Sequence, residues 1–355
     1  MKRKPKKLRS DPRIDETGLR TILDSMVEAV FVVDESGRIA LTNRSLDELL
    51  ERDARGTRPR KFIRSEELRL AVRNARKSHL ATEVDVEGAI GERVLTFRAQ
   101  VSPLPGSTGV VVVLHDVSSL TRADKVRRDF VANAAHELRT PLTAIRGYAE
   151  TLVNGAMDDP VVSRTFLEGI LRQTHRMERL ADDLALLSRA ESAEPDYEPS
   201  PTDIVGVCQE SAASVQKLAS DKRVRLRLAL PPGPLVMSIS GRALEEVLVN
   251  LLENAIKHSK DDEEVRLTLQ DTDESIAIEV RDDGIGIAPE YHARIFERFF
   301  RVDQGRSRSQ GGSGLGLSIV RHLMQRMRGA IAVKSAAGKG ARFKVTLPKS
   351  SRLSS

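Results

Sequence analysis

Apolar and polar positions divide the chain into three regimes. In the first, Val30-Phe31-Val32-Val33 is a continuous apolar run followed by a turn at Asp34 to Gly37. Ile39 to Leu41 then predicts the second arm of a hairpin. Helical spacing fills residues 44–80, and two further strands are predicted near 93–102 and 109–116, joined across Pro103-Leu104-Pro105-Gly106. A hairpin, short helices and a second hairpin predict a small α+β domain over residues 19–118.

The second regime begins at Leu120, where apolar residues recur at three- and four-residue steps. They run through Ala123, Phe130, Ala134, Leu138, Leu142, Ile145, Ala149 and Leu152. Gly155 to Pro160 interrupts the helix, and a second stripe follows through Phe166, Ile170, Met177, Leu180, Leu184 and Leu187. Residues 119–192 therefore predict an antiparallel helical hairpin with more apolar surface than it can cover. A second copy, completing a four-helix bundle, would cover it; packing against the chain's own domains is the alternative.

Residues 193–202 look like a linker: Pro195, Pro199 and Pro201 fall within or beside it. The third regime, 203–349, reads helix, strand, helix, strands, helix, strands. Its alternation is clearest at Val265-Leu267-Leu269, Ile276-Ile278-Val280 and Phe343-Val345-Leu347. This predicts an α/β sandwich, one face of a sheet covered by helices. The fold class is thus multidomain α+β, with short tails at 1–18 and 350–355.

Charge sharpens the picture more than composition does. The formal net charge of the 355 residues is +6, and residues 1–13 supply all of it through Lys2, Arg3, Lys4, Lys6, Lys7, Arg9 and Arg13 against Asp11. The remainder is neutral, so no general polyanion-binding surface is expected. Aromatic residues are only 3% and tryptophan is absent, which speaks against a base-stacking binder and leaves no nucleic-acid partner expected. The single cysteine, Cys208, excludes a disulfide framework and any multi-cysteine metal site. No apolar run approaches a membrane span, and no apolar segment follows the basic tail as in a signal peptide. The expected location is cytoplasmic. The tail, expected to be disordered, would touch the inner face of the membrane peripherally, or be the juxtamembrane stub of a longer protein.

Four constellations carry candidate chemistry. The first is His136-Glu137-Leu138-Arg139-Thr140-Pro141-Leu142 on the first long helix. No second histidine follows at the spacing of a zinc protease, so that reading fails. Pro141 is a poor mid-helix residue beside a titratable pair. A neutral imidazole at His136 is a competent nucleophile near pH 7, Glu137 could take its other proton, and Thr140 lies one turn on, where it could position a water.

The second constellation lies on the helix expected from Arg242 to Ser259. Leu244, Val247, Leu248, Leu251, Leu252 and Ala255 make its core stripe, while Asn250, Asn254 and Lys257 share another face. An amide oxygen at Asn254 can ligate Mg²⁺, and Lys257 can meet phosphate oxygens. Such a face is also compatible with plain solvent exposure.

The third is Asp282-Asp283-Gly284-Ile285-Gly286, directly after a predicted strand. Period-two alternation turns Asp282 inward with Ile276, Ile278 and Val280, where it needs a partner such as an adenine amino group. The fourth is Gly312-Ser313-Gly314-Leu315-Gly316-Leu317-Ser318, opening a helix; glycines before a helix N-terminus make an anion site. Leu317 stands where a P-loop has lysine, and no strand leads into these glycines, so the Walker and dinucleotide patterns both fail. Between the glycine segments lie Phe296, Phe299 and Phe300, with Arg298, Arg301, Arg306 and Arg308, a predicted lid.

In this order, these elements resemble those of bacterial sensor histidine kinases of two-component signalling, over residues 120–349. His136 to Leu142 is similar to the family's phosphoacceptor box, and Asn250-Leu251-Leu252-Glu253-Asn254-Ala255-Ile256-Lys257-His258-Ser259 to its asparagine box. Asp282 to Gly286, Phe296 to Phe300 and Gly312 to Gly316 match the glycine and phenylalanine boxes. Residues 19–118, with Asp34 to Ile39 and Asn43, resemble a PAS domain.

The resemblance implies a Bergerat-type ATP domain and a dimerisation bundle carrying His136. It implies ATP and Mg²⁺ bound by Asn250, Asn254, Lys257, His258, Asp282, Gly284, Gly286, Phe299, Arg301, Gly312, Gly314, Leu315, Gly316 and Leu317, with Asn254 on the metal. It implies phosphorylation of His136 with Glu137 and Asn250 in the catalytic machinery, transfer to an aspartate of a response-regulator receiver domain, and phosphatase activity through Thr140. Related ATPases carry a catalytic glutamate where this chain has Asn250, so transfer is favoured over hydrolysis. Ala341 stands where the family usually has a hydroxyl. A scaffold or phosphatase with a vestigial kinase is the competing expectation.

Overall fold

A computed structural model of the chain describes residues 15–90, 93–191, 197–302 and 313–349. Two compact units divide it, Met1–Asp129 and Phe130–Ser355.

The first unit contains α1 (Glu16–Ser25), β1 (Ala29–Val33), β2 (Ile39–Thr42), α2 (Arg44–Leu50), α3 (Glu66–Ser78), β3 (Thr82–Ile90), β4 (Arg93–Pro103) and β5 (Val110–Asp116). The strands form one antiparallel sheet in the order β2-β1-β5-β4-β3. Phe31, Ile39, Leu46, Ile63, Phe97 and Leu114 lie at the centre of its core, with Phe31 and Phe62 edge to face at 5.9 Å. Asn43 is wholly buried and uses its entire amide. Its Oδ1 accepts from the Val30 and Leu46 backbone N–H groups at 2.8 and 3.1 Å, and its Nδ2 donates to the Leu23 and Glu28 carbonyls at 3.0 and 2.9 Å. One side chain therefore caps α2 and ties it to α1 and β1. The Asp34 turn closes as expected, Oδ1 accepting from Arg38 N at 2.9 Å and from Ser36 Oγ at 2.7 Å.

Two expectations need correction here. The sheet has five strands, because β3 follows α3 and pairs with β4 along its length. The expected disordered tail over 1–18 ends too late: α1 starts at Glu16, with Asp15 Oδ1 accepting from Gly18 N. Residues 1–14, and with them the basic cluster, lie outside the described residues, as do residues 350–355.

Helix α4 runs Ser118–Val153 and α5 runs Pro160–Glu191, with Gly155 at positive φ in the connection. Gly169 on α5 lets the Tyr148 ring of α4 approach; a Cβ there would meet that ring at 2.9 Å. Most of the predicted stripe is half-buried or buried, with Leu120 and Leu142 among its exposed members; Val131, Leu167 and Leu171, apolar positions beside it, are exposed in the single chain as well.

The rest of the second unit comprises β6 (Ser200–Asp203), α6 (Ile204–Ser214), α7 (Gln216–Asp221), β7 (Arg225–Ala229), β8 (Val236–Ile239), α8 (Gly241–His258), β9 (Glu264–Asp271), β10 (Ser275–Arg281), α9 (Gly316–Arg326), β11 (Ala330–Ser335) and β12 (Ala341–Pro348). Five strands make a mixed sheet in the order β11-β12-β10-β9-β7, only β9 and β7 being parallel. The buried side chains of β9, β10 and β12 meet the apolar stripe of α8, where Leu244, Val247, Leu248, Leu251 and Leu252 are fully enclosed. Truncating one of these leucines to alanine costs about 2–5 kcal/mol.

The expected linker 193–202 is structured at its end. Ser200–Asp203 pairs with β8 despite Pro201, an edge position where a missing N–H is tolerated. Tyr197 is buried and its hydroxyl donates to Glu246 Oε2 at 2.7 Å. The enclosed side chain and this carboxylate partner push the phenol up to about 12.

Candidate functional site

Three pieces of backbone converge beside the C-terminal half of α8. Asp282, immediately after β10, is 5% exposed, buried with Ile276, Ile278 and Val280 as period-two alternation requires. Its Oδ1 accepts from the N–H groups of Gly284 (3.0 Å) and Ala341 (3.2 Å). Burial pushes its carboxyl above the usual range, and the two backbone donors act against that shift. Both bonds fall on Oδ1, which leaves Oδ2 for a further donor. The Ala341 carbonyl also accepts from Asp282 N at 2.9 Å, so the backbone of Ala341 is part of what fixes the carboxylate.

The glycines of this segment are shaped by protein as well as by any ligand. A Cβ on Gly284 would lie 2.2 Å from the His258 carbonyl oxygen, and one on Gly286, at φ +65°, would lie 2.0 Å from that of Ala336. The loop is thereby clamped between the end of α8 and the β11–β12 turn. His258 contributes its carbonyl to this packing, also accepting from Ile285 N at 3.3 Å, while its side chain reaches solvent.

On α8, Asn250, Asn254 and Lys257 are half-buried on one face. Asn250 Nδ2 donates to the Glu246 carbonyl at 2.9 Å, which turns Oδ1 toward Gly316 at the start of α9. A Cβ on Gly316 would lie 2.7 Å from that oxygen and 3.9 Å from Asn254 Nδ2. The two asparagines and the N-terminus of α9 thus form one wall. Lys257 pairs with Glu253 Oε2 at 2.5 Å, an i,i+4 pair weak enough to open for a phosphate.

Phe299 sits at φ +61°, a strained setting for a bulky residue. Its N–H donates to the Gly314 carbonyl at 2.9 Å, and Gly314, at φ +76°, has no room for a Cβ against Phe299. Its ring also packs against Phe130 of α4 at 5.8 Å. Leu315 is fully buried in the core, so only its backbone could face a ligand, and Leu317 is half-buried against that core. Arg301 lies near enough to act electrostatically on His258. Gly312, Arg306 and Arg308 fall outside the described residues.

His136 is exposed on α4, and Thr140 one turn later donates its hydroxyl to the His136 carbonyl at 3.2 Å. Glu137 turns inward and accepts from Arg176 Nη2 of α5 at 3.1 Å. Sequence reasoning passed over Arg176, as it did Glu191, which pairs with Arg298 and lies 3.7 Å from His322 Nε2. It also passed over Asp183 of α5, whose carboxyl burial raises while the Ser313 hydroxyl bonds it. None of these belongs to a recognisable local pattern; each acquires meaning only from a partner far along the chain.

Two parts of the chain match known domains. Residues 126–193 match the His Kinase A (phospho-acceptor) domain, and residues 240–351 match the histidine kinase-, DNA gyrase B- and HSP90-like ATPase domain. Over 335 residues the chain is 30% identical to Sensor protein SrrB of Staphylococcus aureus strain N315, covering 93% of this chain and 55% of that protein. The SrrB of strain MRSA252 is 29% identical with the same coverage. The chain thus spans about half the length of the curated relatives it matches. A crystal structure of histidine kinase ThkA in complex with response regulator protein TrrA shares the fold, at 21% identity and a TM-score of 0.53, covering 93% of this chain and 98% of that one. Among the described residues no helix is long and apolar enough to cross a membrane. With both domains matched in order around the residues just described, the chain carries the phospho-acceptor and ATPase domains of the histidine kinases.

Proposed function

We propose that the chain is an ATP-dependent protein-histidine kinase that phosphorylates its own His136 and passes the phosphoryl group to an aspartate of a response-regulator receiver domain. The observation that carries the reading is Asp282: a buried carboxylate with one oxygen doubly bonded by backbone donors and the other left for an amino group such as that of adenine. Around it, Gly284 and Gly286 hold the loop, Asn250 and Gly316 form the opposite wall, and Lys257 and Arg301 supply positive charge for phosphates. Phe299, with Gly314, fixes the edge of the cradle.

The residues present fit a divalent metal. Mg²⁺ keeps most of its coordination as water and phosphate oxygen and needs few protein ligands, and the half-buried amide of Asn254 offers one hard oxygen on the wall facing the cradle. When bound, the ion would neutralise charge on the phosphates. In the transfer, the lone pair of His136 Nε2 forms the N–P bond as the bond from the γ-phosphorus to the bridging oxygen breaks, ADP taking that electron pair. Glu137 takes the proton from Nδ1. Asn250, an amide where related ATPases have a carboxylate, leaves water without a base. Thr140, in its His-Glu-x-x-Thr setting, would position water during dephosphorylation of the regulator.

The exposed apolar side chains of Val131, Leu142, Leu167 and Leu171 along the hairpin support a homodimeric four-helix bundle. The strand order of the first unit, with the Asp34 turn and Asn43, supports a PAS-type input domain. The kinase reading is tested with radiolabelled Mg·ATP. Acid-labile, base-stable label should enter the wild-type chain and be absent from His136→Gln with ATP binding intact. Equal label in that variant would refute it.

A further inference from the structure

The ion pair between Glu137 and Arg176 differs from its neighbours on the hairpin. Arg128–Asp124, Arg146–Glu150 and Arg164–Glu168 are i,i+4 pairs within one helix, with all six side chains more than half exposed, and such pairs contribute little. The Glu137–Arg176 pair joins α4 to α5, and its side chains are only 19% and 15% exposed. Opening a pair so enclosed leaves two charges short of partners, which is costly.

The backbone adds a second observation. In an α-helix the carbonyl of Glu137 would accept from the N–H of residue 141, and residue 141 is proline, which has none. The helical ladder is therefore broken at Glu137, and the side-chain pair with Arg176 joins this turn to the neighbouring helix. Successive residues on a helix project about 100° apart. A carboxylate drawn into the hairpin is consequently turned away from the exposed His136 ring, and no hydrogen bond joins the two side chains.

We infer that Arg176 is a positioning residue that latches Glu137 away from His136, so that proton removal from the imidazole requires this pair to open. The inference rests on the kinase reading above. It makes Arg176 a restraint on phosphoryl acceptance: the fraction of molecules with Glu137 released sets the fraction competent to react. The nucleotide cradle lies elsewhere, so ATP affinity should not change. Among the described residues Glu137 is the carboxylate with which Arg176 pairs, so if Arg176 acts through it, its influence should vanish once Glu137 is removed.

The test uses the full chain and the initial rate at which acid-labile label from radiolabelled Mg·ATP enters His136. Arg176→Gln, Arg176→Lys, Glu137→Gln and the double variant Arg176→Gln/Glu137→Gln are compared with wild type. Arg176→Gln should raise the rate at saturating ATP by about three- to tenfold with KM for ATP unchanged. Arg176→Lys, which keeps the charge but loses the planar fork, should fall between the two. The double variant should be no faster than Glu137→Gln alone.

An unchanged or reduced rate in Arg176→Gln with wild-type helicity would overturn the inference, as would a gain that persists without Glu137. Should Arg176→Gln lose helicity by circular dichroism, Arg176→Lys decides: a rate at or below wild type contradicts the latch. Label on the wild-type chain with no gain in the variants defeats this inference alone. No label on the wild-type chain defeats the kinase reading and this inference with it.

Discussion

The amide oxygen of Asn250 faces Gly316 so closely that a Cβ on the glycine would lie 2.7 Å from it. Asn250 cannot retreat without breaking the bond from its Nδ2 to the Glu246 carbonyl. Gly316→Ala should therefore displace the amide and disturb the wall formed with Asn254. The expected result is ATP binding weakened at least about tenfold, worth ~1.4 kcal/mol, with a melting temperature within about 3 °C of wild type. Calorimetric titration with ATP checks this, and an unchanged Kd would contradict the assignment of this wall to the nucleotide.

Asp282 carries a stability cost that depends on pH. Its carboxyl titrates above the ordinary range because it is buried, so the folded chain holds the proton more tightly than the unfolded chain. Stability is then lost as pH rises through the ordinary carboxylate range to the raised folded value, and the full penalty applies above it. Asp282→Asn keeps an oxygen for the Gly284 and Ala341 donors but removes the charge. The variant should melt at least about 2 °C above wild type at neutral pH, the gap should shrink on acidification, and ATP affinity should fall. A variant less stable than wild type at neutral pH would refute the burial cost.

Magnesium dependence should be concentrated on one amide. Asn254→Ala is expected to weaken ATP binding about tenfold or more in Mg²⁺ and to change it little in EDTA, where wild type should already be weak. Equal loss with and without the ion would mean that Asn254 acts on the nucleotide or the fold and not on the metal.

In the first unit, Asn43→Ala removes four hydrogen bonds from a wholly buried position and uncaps α2. Each backbone group left without a partner costs about 1–3 kcal/mol. Denaturant unfolding of the chain should show the loss. An unfolding midpoint equal to wild type would show that the lost bonds are replaced.

The long periodic elements were legible in the sequence. Helix α8 spans Gly241–His258 where the pattern predicts Arg242 to Ser259, and β9, β10 and β12 carry the expected alternation. Strand β3 escaped because its buried positions are few, Val86 and Gly88, and a glycine carries no hydrophobic signal. Strand β6 escaped because Pro201 reads as a breaker. At the site, Asp282 declared itself through period two. The close approach of Gly284 and Gly286 to the protein's own carbonyls was not legible, because the partners, His258 and Ala336, lie far along the chain. Glu137 shows the wider limit: the sequence sets it beside His136, but its partner Arg176 lies 39 residues away, and only helix packing brings them together.

The central claim is that His136 accepts the phosphoryl group. The direct measurement is phosphosite mapping of the intact chain after incubation with Mg·ATP, by electron-transfer fragmentation at neutral to alkaline pH, where phosphohistidine survives. Phosphate on the peptide containing His136, localised to that residue, is the predicted result. Phosphate on another residue, or none on a chain shown to bind ATP, would contradict the account.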